Sequence, residues 1–137
     1  MTAHHSTADL ARARDAALAV HGELLSLVQR EYEREHGRVE SGLKLLRLVA
    51  EDPWFAWIRP LTAMVASVDE ALVDPAPAML GRHQVLLAAL ADLLRADETG
   101  SDFQRRYFAA IQASPDIAVA HRRAVQAMRP APSPLLN

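Results

Sequence analysis

Apolar residues recur along this chain at three- and four-residue steps, in long stretches separated by turn-forming residues. In the first stretch Leu10, Ala13, Ala17, Val20, Leu24, Leu25, Val28 and Tyr32 form one stripe. Ser6-Thr7-Ala8-Asp9 supplies a capping segment ahead of it and Gly37 a left-handed stop behind it. The pattern predicts a helix from Ser6 or Thr7 to His36 or Gly37. A short helix follows, with Leu43, Leu46 and Val49 on one side and Leu45 and Leu48 beside them.

Asp52-Pro53 then reads as a fresh start. A carboxylate can accept from an orphan N–H, proline at the first helical position wastes no donor, and the residue before a proline is pushed out of the helical region. Trp54, Trp57, Ile58, Leu61, Val65, Val68 and Leu72 continue as a second α-helical stripe, which makes the two indoles a buried wedge. Pro60, inside that stripe, is expected to bend the helix. Asp74-Pro75-Ala76-Pro77 is a loop. The third arm carries Leu80, His83, Leu87, Leu90 and Leu94 and is expected to end near Glu98-Thr99-Gly100. Ser101 or Asp102 caps the fourth, which bears Phe103, Tyr107, Phe108 and Ile111, is interrupted at Ser114-Pro115, and continues through Ile117, His121, Ala124 and Met128.

The chain therefore reads as all-α: an up-down-up-down four-helix bundle with helices interrupted near Pro53 and Pro115. Residues 1–6 are expected to be a flexible N-terminal tail and 7–129 a single helical domain. Residues 130–137, which include Pro130-Ala131-Pro132-Ser133-Pro134, are expected to be an extended or disordered tail.

Composition narrows the function classes. The formal net charge of −2 argues against a nucleic-acid binder driven by bulk electrostatics. Without cysteine the chain has no disulfide, no thiolate metal site and no cysteine nucleophile. No apolar leader precedes the first helix and no run is long enough to span a bilayer, so a cytoplasmic protein with no membrane partner is expected.

The candidate chemistry lies on the stripes. His21, His83 and His121 sit on three different arms, with Asp69 beside the stripe of the remaining one. Helical rise brings Asp69, His83 and His121 to similar heights in an up-down bundle, with His21 about a turn away. Two histidines and a carboxylate in one layer would form a polar pocket, an acid–base pair or a divalent-metal site. A carboxylate beside a histidine would raise its pKa, so stability is expected to decline between about pH 6 and 8. The chain has a single Glu-x-x-His spacing, Glu33 to His36, where di-iron bundles use one on each of two helices, and no His-x-x-x-His pair, so no metal or other cofactor is assigned. Arg59 stands beside Trp57 just before the expected bend, where an arginine and an indole can clamp an anion or a ring. Phe55 and Phe108 fall off the main stripes of their helices and are the candidate interface residues.

The segment Asp52-Pro53-Trp54-Phe55-Ala56-Trp57-Ile58-Arg59-Pro60-Leu61, followed by Val68-Asp69-Glu70-Ala71-Leu72, resembles a segment in a family of short uncharacterised bacterial helical proteins. So does Tyr32-Glu33-Arg34 with His36-Gly37. The resemblance implies a self-standing helical domain and brings no activity with it. Two functions follow from the residues. One is a binding module acting through a protein partner or its own homodimer. The other is a small-molecule or metal site, or an enzyme, in the bundle interior near His21, Trp57, Arg59, Asp69, His83 and His121.

Overall fold

The computed structural model describes residues 7–73 and 80–129; the Asp74–Pro77 loop and both expected tails lie outside the described residues. Among the described residues the protein is all-helical, with six α-helices, one 3-10 segment and no strand. In chain order these are α1 (Thr7–His36), α2 (Gly42–Glu51), the 3-10 segment Pro53–Ile58, α3 (Arg59–Val73), α4 (Leu80–Leu93), α5 (Asp102–Ala113) and α6 (Pro115–Ala127). None is long and apolar enough to cross a membrane.

Helix α1 is the spine. Its stripe Leu10, Ala13, Ala17, Val20, Leu24 and Val28 is fully buried, and it packs most extensively on α6 and then on α3 and α4. Each buried leucine or valine contributes about 1.5–3 kcal/mol. Alanines at Ala13 and Ala17 of α1 and at Ala120 and Ala124 of α6 all belong to the core, and small side chains let two helix backbones approach closely. Gly37 ends α1 at φ +86°, with its N–H donating to Glu33 O at 3.0 Å. That backbone conformation suits glycine and little else.

The expected breaks are both present. The Asp52 side chain accepts from Trp54 N at 2.8 Å and the Ser114 side chain from Ile117 N at 3.3 Å, each with proline at the next position. Pro60 does not bend α3. It falls in the helix's first turn, where a missing donor costs least.

Helix α4 stops at Leu93, short of the end expected near Glu98-Thr99-Gly100. The Asp97 carboxylate takes both the N–H and the hydroxyl of Thr99, drawing the backbone into a turn. Ser101 then caps α5 in a reciprocal box with Gln104. The buried Gln104 side chain also donates to Asp92 O at 2.6 Å and so ties the end of α4 to the start of α5. Gly100 suits this joint, because a Cβ at that position would run into the Gln104 side chain that makes the box.

Candidate binding cleft

The stretch Pro53–Ile58 turns with three residues per turn, so side chains three apart eclipse. Phe55 and Ile58 form the inner pair, both at 0% exposure. Trp54 and Trp57 form the outer pair; Trp54 is 39% exposed and Trp57 half-buried. This reverses two expectations. The indoles are a wall rather than a buried wedge, and Phe55 is core rather than interface. An α-helical stripe of 3.6 residues joins Trp54 to Trp57 and Ile58 and turns Phe55 outward, whereas the tighter period exchanges them.

The wall faces the last turns of α1. Between them lies a cleft of about 490 Å³ lined by Glu31, Arg34, Glu35, Pro53, Trp54, Trp57 and Arg106. Six of the seven aromatic residues gather around it in two ladders. In one, Tyr32 stacks on His36 at 4.3 Å, meets Phe55 at 5.5 Å, and Trp54 stands edge-on to His36 at 5.1 Å. In the other, Trp57 meets Phe103 at 5.9 Å and Phe103 stacks on Tyr107 at 5.5 Å. Such pairs prefer offset and edge arrangements and fix ring orientation. Both walls of the cleft are therefore held from behind.

The other predicted site residues are dispersed. Asp69 pairs with Arg14 of α1 at 2.6 Å, and that hydrogen bond raises the Arg14 pKa further. His83 is buried. Its Nε2–H donates to Ala71 O at 3.0 Å, and Thr7 Oγ1 lies 3.3 Å from Nδ1. Ala71 is among the last four residues of α3, whose carbonyls lack partners inside the helix, so His83 serves as a cap. His121 Nδ1 accepts from the Tyr107 hydroxyl at 2.7 Å. His21 lies 2.7 Å from Thr62 Oγ1, whose hydroxyl donates to Ile58 O at 3.3 Å, so the ring donates to Thr62. No shared layer of Asp69, His83 and His121 exists. Among the described residues no group of three His, Asp or Glu side chains could hold a metal ion.

The electrostatics follow from this dispersal. Burial without a carboxylate partner disfavours the charged ring, so the pKa values of His21 and His121 are lowered, opposite to the expected rise. Burial likewise raises the Tyr107 pKa, which keeps its hydroxyl protonated as the donor to His121.

Arg59 also has a structural task. The carbonyl of Val49 would meet the N–H of residue 53 in a continuing helix, but Pro53 has none. Arg59 Nε fills that place at 2.8 Å, and its terminal nitrogen donates to Asp52 O at 2.8 Å. The guanidinium thereby closes the joint between α2 and α3 rather than facing a ligand. Phe108 is half-buried on α5, outside both ladders.

Sequence reasoning missed the outer face of α2. Ser41 caps this helix, accepting from Lys44 N at 3.1 Å, and Leu45, Leu48 and Val49 lean on the core. Leu43 and Leu46 remain 67% and 69% exposed. The signal was present as two interleaved apolar stripes, Leu43-Leu46 and Leu45-Leu48-Val49, of which a single neighbour can cover only one. Comparison of the chain with family models, with curated proteins and with solved structures returned no match in any of the three.

Proposed function

We propose that this chain is a helical binding module whose working surface is the outer face of α2, and that it pairs there with a second helix. The observation that carries this reading is the exposure of Leu43 and Leu46, one turn apart on a helix without a fully buried residue. Scattered surface leucines are ordinary, whereas a contiguous apolar face invites a partner. Beside them runs a groove of about 510 Å³, lined by Leu43, Leu48 and Pro53, with Lys44 and Arg47 among its residues and Glu51 and Asp52 toward its far end. A second copy laid antiparallel would set the basic end of one groove against the acidic end of the other, with Lys44 of one copy opposite Glu51 of the other. Such self-complementarity is what a two-fold dimer needs. We therefore favour a homodimer over an unrelated protein partner. We also take α1, the 3-10 segment with α3, α4, and α5 with α6 as the four arms of an up-down-up-down bundle, with α2 as an excursion from it.

Sedimentation velocity over a wide concentration range tests the reading. The native chain should show a concentration-dependent dimer that the double variant Leu43→Ser/Leu46→Ser loses. Lys44→Glu and Glu51→Lys should each weaken it, and the two together should restore it. A native chain that stays monomeric throughout would remove the homodimer. A second reading, a small-molecule site at Trp57, is favoured by the indole wall and its charged rim.

A further inference from the structure

We propose that the cleft beside the 3-10 segment binds a small zwitterion of the amino-acid or short-peptide type. Spacing of three and four residues puts Glu31, Arg34 and Glu35 on one face of α1, looking across at the indoles. Among the described residues, none of these three side chains has a hydrogen-bond or ion-pair partner in the protein. Arg106 closes the cleft from α5. Its Nε is held 3.2 Å from Asp102, which orients the guanidinium and leaves its terminal nitrogens without an acceptor. The rim therefore offers two carboxylates and two guanidinium groups, all unspent on one another.

That balance selects the ligand. A simple cation would meet Arg34 and Arg106, and a simple anion would meet both glutamates, so each carries a repulsive partner. A molecule with both charges finds both complements. Its ammonium can lie between the glutamates and an indole face, which attracts cations, while its carboxylate takes the fork of Arg106. A volume of about 490 Å³ suits a ligand between an amino acid and a dipeptide. A second hollow of about 270 Å³ shares Glu31, Trp57 and Arg106 and is walled by Leu27 and the alanines of α5, giving room for an apolar side chain. This site shares only Pro53 with the α2 groove, so either can fail without the other.

Trp54 and Trp57 are the only tryptophans in the chain, so their emission reports directly on the cleft. The full chain would be titrated with Leu-Leu, with N-acetyl-Leu-Leu, which lacks the ammonium, and with Leu-Leu-amide, which lacks the carboxylate. Calorimetry provides the second readout. Leu-Leu should give a saturable change, and each single-charge analogue should bind about tenfold more weakly. Glu31→Gln together with Glu35→Gln should erase the preference for Leu-Leu over the acetylated peptide, and Glu31→Gln alone should narrow it. Arg106→Gln should erase the preference over the amide. Circular dichroism would confirm that these exchanges at the cleft rim leave the fold intact. The proposal is overturned if Leu-Leu produces no saturable signal in either method. It is equally overturned if a single-charge analogue binds as tightly, or if the double glutamate variant and Arg106→Gln both keep the native preferences.

Discussion

Helix α2 and the 3-10 segment adjoin in the chain, and both are rich in apolar residues, yet their side chains end in opposite places. Six residues of 3-10 structure bury Phe55 and Ile58 completely, while ten residues of α2 bury none. The difference is one of seating. The 3-10 segment is packed against α1, α2, α3 and α5, so whatever projects inward is enclosed. Helix α2 rests mainly on the 3-10 segment and has one side covered. Apolar content sets how much surface a segment can bury, and the neighbours set how much it does.

The sharpest way to break this comparison is to exchange the faces of the 3-10 segment. Phe55→Ala should cost about 3–5 kcal/mol by chemical denaturation, because it leaves a cavity in the core. Trp54→Ala should cost far less, about 1 kcal/mol. Equal losses would mean that the inner and outer pairs are wrongly assigned.

The joint comes next. Arg59→Leu leaves Val49 O without its side-chain donor, and Asp52 O keeps only the N–H of Phe55. A loss of about 1–3 kcal/mol is expected. A denaturation midpoint unchanged from the native chain would show that water replaces the guanidinium at no cost. Asp52→Ala removes the cap of the 3-10 segment and should cost about 1 kcal/mol, measured the same way.

A smaller effect should appear with acid, since His21 and His121 are only part-buried. Their folded pKa values lie below the ordinary value of about 6.5. Above that pH both rings are neutral in the folded and unfolded chain, and stability is at its full value. As pH falls below it, the unfolded chain binds protons that the folded chain resists, so stability declines. The decline levels off once the folded pKa values are passed. His21→Gln should remove the share that burial of the His21 ring contributes. A profile that instead declines from pH 6 to 8 would restore the carboxylate-paired histidine that the sequence led us to expect.

The smallest effect should come from α2. Leu43→Ser/Leu46→Ser should shift monomer stability by no more than about 0.5 kcal/mol, because these side chains lose little contact. A loss of several kcal/mol would mean that the outer leucines are covered after all.

Much of the fold was legible because it rests on local chemistry. Asp52, Ser101 and Ser114 cap helices where serine and aspartate should, Gly37 stops α1, and the α1 stripe from Leu10 to Val28 is buried as its spacing says. Legibility failed where a local choice depended on distant contacts. One turn of 3-10 structure moved Phe55 inward and the indoles outward, and sequence carries little to separate a period of 3.0 from 3.6 over six residues. The histidine layer failed for a related reason. Equal heights along helices say nothing of facing direction, and His83, His121 and Asp69 each found a nearer partner in Ala71, Tyr107 and Arg14. Trp57 is the one predicted site residue that lines the cleft; Glu31, Glu35 and Arg106 carry no local sequence signal that would set them apart from other surface charges.

The pairing of α1 with α6 has a consequence for the order of assembly. Helix α1 has as its most extensive partner α6, the described helix farthest from it along the chain. Until α6 docks, the α1 stripe is covered mainly by α3, α4 and the 3-10 segment. An apolar ridge on α1 thus stays open until α6 docks, and that closure is a long-range event. Such contacts form slowly, because the entropy of closing the intervening loop is lost before the contact returns anything. Chains released early, or stalled before α6, would keep that ridge open to one another. Association of incomplete chains is therefore the characteristic failure of this design, and α6 is the segment that prevents it.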